Sequence, residues 1–101
     1  MTIEVLYVPG CPNYQPAVER LQTVLAAQSV REQIHSVPVS SEAQAEALLF
    51  PGSPTVRING RDVEPGHMRA PGLACRLYPD RSGVPSEELL KLAIVSAKQK
   101  E

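Results

Sequence analysis

The sequence predicts an α/β domain in which a four-stranded mixed sheet is flanked by helices, in the order β-α-β-α-β-β-α. Three observations predict it. An apolar run over residues 2–8 stops at Pro9-Gly10 and gives way to a three- and four-residue apolar spacing that lasts to about residue 28. Asn59-Gly60 separates two short strand-like runs and supplies the positive φ values of a type I′ hairpin turn. A last helical stripe opens after Pro85. With 101 residues and 43% hydrophobic composition, the chain makes one small core and not two, so a single domain over residues 1–101 is expected.

The first run is apolar except for Glu4 and rich in β-branched and aromatic side chains, which predicts a central strand buried on both faces. In the helix that follows, Ala17, Val18, Leu21, Val24 and Leu25 form one buried stripe. Pro16 cannot donate a hydrogen bond and must lie in the first turn, so regular helix begins near residue 13 or 14. Residues 31–39 place Ile34, Val37 and Val39 among polar neighbours, a pattern suited to an edge strand. Ser41 and Gln44 form a capping box for a short Ala-rich helix that Pro51-Gly52 stops. The hairpin strands are residues 55–58 and 61–64. Residues 65–85 carry Pro65, Gly66, Pro71, Gly72, Pro79, Gly83 and Pro85 and are mainly loop, with a short extra strand as an option over residues 73–78. Ser86, Glu87 and Glu88 open the final helix, whose Leu89, Leu90, Ala93, Ile94 and Ala97 share a face.

Ten basic and eleven acidic residues are interspersed, which gives no surface for tracking phosphates, and nucleic acid is not an expected partner. No stretch has the length and apolarity of a membrane span, and no basic segment followed by an apolar one opens the chain. Cytoplasmic residence, without a membrane partner, is the default expectation. In such a compartment the two cysteines are expected as free, reactive or buried thiols rather than as a structural disulfide.

Cys11 is the most informative residue. It follows an apolar strand and a Pro-Gly turn, just before a helix, where unpaired N–H groups and the positive end of the helix dipole favour the thiolate form. The position three residues later holds Tyr14, so no CxxC pair exists.

The order of elements, the thiol after the first strand, and Ser53-Pro54-Thr55 entering the third strand resemble the thioredoxin/glutaredoxin-like family over nearly the whole chain. The resemblance implies that Pro54 is cis and faces Cys11. It also implies thiol redox chemistry at Cys11, with Tyr14, Ser53, Pro54 and Thr55 lining the substrate site and no resident cofactor. Glutaredoxins bind glutathione through backbone beside the cis-proline, through basic side chains and through a small-residue turn. Arg57, Arg61, Arg69 and Arg76 are the basic candidates, and Pro65-Gly66 loosely replaces the usual Gly-Gly. Glutathione is thus a candidate co-substrate. Similar small bacterial proteins are sometimes labelled alkylmercury-lyase-like, a chemistry that needs two cysteines and an acid, for which Cys11, Cys75 and an unassigned carboxylate are the available groups.

Cys75 has two readings. If the fourth strand runs back toward the end of the sheet that carries Cys11, the loop bearing Cys75 starts on that side, and Cys75 serves as a resolving thiol. Alternatively it is a small buried hydrophobe within Leu73-Ala74-Cys75-Arg76-Leu77-Tyr78. His67 is a third donor for a soft metal only if the loop brings it to both thiols. His35, in the edge strand, has no assigned role. Asp62, Glu64 and Asp80 show no pairing in the sequence and read as solvated. Two functions remain open: thiol–disulfide exchange on protein or small-molecule disulfides through Cys11 and Cys75, or a non-catalytic module of the same fold that binds a protein partner or a soft metal ion.

Overall fold

The opening apolar run forms the central strand it predicts. In the computed structural model, which describes residues 1–100, β1 spans Ile3–Tyr7 and has a neighbour on each side. It is followed by α1 (Tyr14–Ala27), β2 (Ile34–Pro38), α2 (Glu42–Leu48), β3 (Thr55–Ile58), β4 (Arg61–Asp62) and α3 (Glu87–Gln99). The strand order is β2-β1-β3-β4, with β1 parallel to β2 and antiparallel to β3, and β3 antiparallel to β4. The architecture is α/β, a four-stranded mixed sheet with three helices, and β2 lies at an edge as its sparse apolar pattern predicts.

Side-chain alternation along β1 divides the interior in two. Ile3 and Val5 join Val56 and Ile58 of β3, Leu21 and Leu25 of α1, and Leu90 and Ile94 of α3 in the main core. Leu6 faces the other way, into a smaller cluster with Val39, Phe50 and Ala45 of α2. Helices α1 and α3 therefore cover one face and α2 the other.

Each helix has a local reason to start. Pro16 sits in the first turn of α1, where its missing N–H removes no helical bond, and Asn13 precedes the helix without a side-chain cap bond. In α2 the Ser41 hydroxyl accepts the Gln44 N–H at 3.1 Å, while the Gln44 side chain accepts the N–H of Ser40 at 2.8 Å. The reciprocal bond thus lands one residue earlier than in a simple capping box. Leu49 ends α2 in the left-handed region, and Arg57 Nη2 donates to the carbonyls of Leu48 and Leu49 at 2.8 and 3.1 Å. Ser86 caps α3 by accepting the Leu89 N–H at 3.1 Å, with Glu87 and Glu88 in the favourable first turn.

The hairpin turns at Asn59 and Gly60, both at positive φ as the sequence requires. Its second strand is shorter than residues 61–64: beyond Asp62 the pairing continues only as the Val63 N–H to the Val56 carbonyl at 3.1 Å, and Pro65, the next inward position, has no N–H to offer. Residues 73–78 do not form a regular strand; they contribute one parallel bridge, Ser53 with Cys75. Among the described residues, no helix is long and apolar enough to cross a membrane.

Candidate functional site

Antiparallel pairing of β1 and β3 sets Leu6 opposite Thr55, so the chain leaving β1 passes the chain entering β3 at one end of the sheet. Ser53 is the junction there. Its buried hydroxyl accepts the Val8 N–H at 3.0 Å. Its own N–H donates to the Ala74 carbonyl, and its carbonyl accepts the Arg76 N–H, each at 3.0 Å. On the β1 side, Gly10 takes φ +88° in the turn that lets the Cys11 N–H donate back to the Val8 carbonyl at 3.0 Å. Through these bonds one serine is tied to the segments that carry both cysteines.

Both cysteines are free thiols, Cys11 half-buried and Cys75 exposed. The reading of Cys75 as a buried hydrophobe is therefore overturned. Alternation explains it: on either side of the Ser53 bridge, Arg76 and Tyr78 turn inward while Cys75 and Leu77 turn to solvent.

The Ser53–Pro54 peptide bond is cis, and Pro54 is buried. The Pro54 carbonyl accepts the Tyr78 hydroxyl at 2.6 Å. Thr55, fully buried, donates its hydroxyl to the Gly52 carbonyl at 2.7 Å and accepts Arg76 Nη1 at 3.0 Å. Tyr14 goes elsewhere. Its ring stacks on Tyr7 with centroids 4.0 Å apart, and its hydroxyl shares a 2.6 Å hydrogen bond with the Ser36 hydroxyl on β2. The structure thus ties Ser53, which leads into Pro54 and Thr55, to the turn before Cys11 and to Cys75, and it holds the Tyr14 side chain against Tyr7 and Ser36 instead.

Next to the Ser53-Pro54-Thr55 segment lies a charged cluster that sequence reasoning missed. The Arg76 side chain is out of reach of water. It forms a bidentate pair with Asp62, at 2.7 and 2.8 Å, and donates to Glu64 Oε1 at 2.9 Å. Its guanidinium lies 4.3 Å from the centre of the Tyr78 ring. Four of the five guanidinium N–H groups are satisfied, and only the Nε donor lacks a protein partner. Burial works against the charge, but hydrogen bonds and attraction from Asp62 and Glu64 outweigh it and raise the Arg76 pKa. Burial also pushes the Tyr78 pKa well above its usual value, with the nearby Arg76 charge opposing.

Asp62 and Glu64 are accordingly paired and largely shielded, not solvated. Arg69 Nη1 sits 2.9 Å from Glu64 Oε1, and its Nη2 donates to the Leu77 carbonyl. His67 accepts the Arg69 N–H on Nδ1, which leaves the proton on Nε2, 3.3 Å from Asp62 Oδ2. His67 therefore belongs to the carboxylates and not to the thiols. Among the described residues, no three His, Cys, Asp or Glu side chains gather as a metal site. Of the four arginines considered for glutathione, Arg57 caps α2, Arg69 is paired and Arg76 is buried; Arg61 alone has no side-chain partner among the described residues.

The signal for this cluster was present in part. Asp62 lies opposite Arg57 on β3, and Asp62 and Glu64 alternate onto one face, so the hairpin presents carboxylates that demand a cation. Which cation arrives depends on the path of the loop. No family model matches the chain, and no curated protein or solved structure matches it.

Proposed function

We propose that the chain is a thioredoxin-like protein that carries out thiol–disulfide exchange through Cys11, with Cys75 as its resolving thiol. The observation that carries this reading is the Ser53 junction, which bonds to Val8 on the Cys11 side and pairs with Cys75 on the other. The strand order β2-β1-β3-β4, with the hairpin after α2 and a cis-proline at the entry to β3, supports the thioredoxin-like topology.

In the first step the Cys11 thiolate attacks one sulfur of a protein or small-molecule disulfide. A Cys11 mixed disulfide forms, and the other half leaves as a thiolate that takes up a proton. The Cys75 thiolate then attacks Cys11 Sγ, forming a Cys11–Cys75 disulfide and expelling the second half of the substrate. The substrate gains two electrons and the protein loses two. Two molecules of an external thiol such as glutathione return them and leave as their own disulfide. The second step requires the Cα atoms of Cys11 and Cys75 to come within about 7 Å.

The test is the mass of the protein after thiol alkylation, before and after reduction, under mildly oxidising conditions. Two thiols protected within one chain support the dithiol route. Two freely alkylated thiols remove Cys75 from the mechanism and leave release to an external thiol. Full turnover in Cys11→Ser would sink the redox reading altogether.

Two free thiols, on segments that both bond to Ser53 or its neighbour Val8, also favour a second reading, a non-catalytic module that binds a soft metal ion or a protein partner. Reduced protein that is inert toward small disulfides, yet gains the mass of one copper(I) equivalent, would select it.

A further inference from the structure

A groove of about 460 Å³ runs between the β3–β4 hairpin and α3. Its floor is apolar, built from Ile58 and Val63 of the hairpin and from Leu89, Ala93 and Ala97, which recur on one face of α3. Leu92 rises on its wall and is 60% exposed, a large apolar side chain left in water. The charged groups around this floor that no other group engages are cations. Arg61 and Lys100 line it, and neither side chain has a hydrogen bond or ion pair among the described residues. Asp62 contributes to the same wall, but its carboxylate is engaged by Arg76.

We propose that this groove binds a free long-chain monocarboxylate, with the acyl chain on the apolar floor and the carboxylate between Arg61 and Lys100. The volume falls in the range of small-molecule sites, and the apolar floor with a few cations fits an anionic amphiphile. A peptide strand is a poorer match, because the neighbouring sheet edge is nearly closed. The Val63 N–H points inward to the Val56 carbonyl, so alternation turns only the main-chain groups of Asp62 outward. The next outward N–H, that of Glu64, is consumed by Asp62 Oδ1, and Pro65 has none. A partner strand would gain at most one residue's worth of ladder bonds, whereas an acyl chain needs none. The site lies where β3 ends, whereas Cys11 and Ser53 lie on the segments where β3 begins, so it does not depend on the thiol chemistry.

The probe is monomeric dodecanoate, titrated below its micelle concentration into the full chain and followed by amide chemical shifts and calorimetry. Shifts at Leu92, Ala93 and Val63 with one-to-one stoichiometry are expected. Affinity should rise by up to about fourfold per methylene from octanoate to dodecanoate. The double substitution Arg61→Ser, Lys100→Ser, at two exposed positions, should weaken dodecanoate by about tenfold and leave dodecanol unchanged. Leu92→Glu, also at an exposed position, should abolish carboxylate binding. Equal binding of dodecanol and dodecanoate by the native chain would overturn the proposal, as would shifts confined to other residues. Binding to anionic phospholipid vesicles, or to an acidic apolar peptide, without binding of monomeric dodecanoate would overturn it as well.

Discussion

Arg76 and Asp62 meet in a bidentate pair, Nη1 to Oδ2 at 2.7 Å and Nη2 to Oδ1 at 2.8 Å, with the arginine side chain wholly removed from water. The same guanidinium reaches Glu64 and Thr55. Arg76 thereby fastens the segment bearing Cys75 to the hairpin on one side and to the entry of β3 on the other.

Removing that cation leaves two shielded carboxylates without their main partner. Arg76→Met is expected to cost about 3–5 kcal/mol, a large part of the stability of a small domain. The triple substitution Arg76→Met, Asp62→Asn, Glu64→Gln should recover much of the loss, because no unpaired charge remains. Urea midpoints of the two variants test this, and equal destabilisation of both would show that packing of the arginine stem dominates.

How far the sequence reaches is clearest at this cluster. Periodicity located β1, α1 and α3, and Asn59-Gly60 located the hairpin, because each depends on residues close in the chain. Cys11 stood out from its local setting between an apolar strand and a helix, whereas Ser53 and Pro54 entered as candidates only through the family resemblance. Arg76 lies 12 to 21 residues from the groups it binds, across a loop whose glycines and prolines specify turns but not a path. Its burial, and the exposure of Cys75 beside it, follow from which residue of that loop bridges to Ser53. No periodic signal in the chain encodes that choice.

Tyr78 makes stability fall at alkaline pH. Its folded-state pKa is raised, chiefly by burial, so the unfolded chain ionises first as pH climbs past about 10. The stabilisation is complete below that value and is lost progressively as pH rises toward the folded-state pKa. Tyr78→Phe removes the bond to the Pro54 carbonyl, at a cost of about 1–3 kcal/mol, and should flatten the alkaline slope. Urea midpoints of both proteins between pH 8 and 11 give the comparison; parallel slopes would assign the alkaline loss to other groups.

Ser53→Ala strips the Val8 N–H of its acceptor and should cost about 1–2 kcal/mol. The specific sign is faster hydrogen exchange at the Val8 amide than at Leu6 and Val56 in the same variant. Unchanged Val8 exchange would mean that the hydroxyl does not hold the two segments together.

Gly52 has φ +119°, and a Cβ there would lie 3.0 Å from the Ala74 carbonyl oxygen and 3.1 Å from Arg76 Cβ. Gly52→Ala therefore combines an unfavourable backbone region with a clash against main chain, at a cost of roughly 2 kcal/mol or more. The segment around Cys75 should be displaced first, read as earlier proteolytic cleavage within residues 65–85 than in the native chain. A variant as resistant as the parent would show that the two segments can part without loss.

The two thiols should differ in their response to alkylating agents. Exposure favours Cys75, which faces solvent, over Cys11, which is half-buried behind the Pro9-Gly10 turn. Alkylation rate depends on the reactivity of the thiol as well as on access. With substoichiometric iodoacetamide under native conditions, access alone predicts that Cys75 is labelled first, and peptide mass mapping reads the order. The reverse order would show that activation of Cys11 outweighs its burial, the property a primary nucleophile requires. In urea both differences vanish and the two rates should converge, so a preference that persists there would come from sequence neighbours and not from the fold.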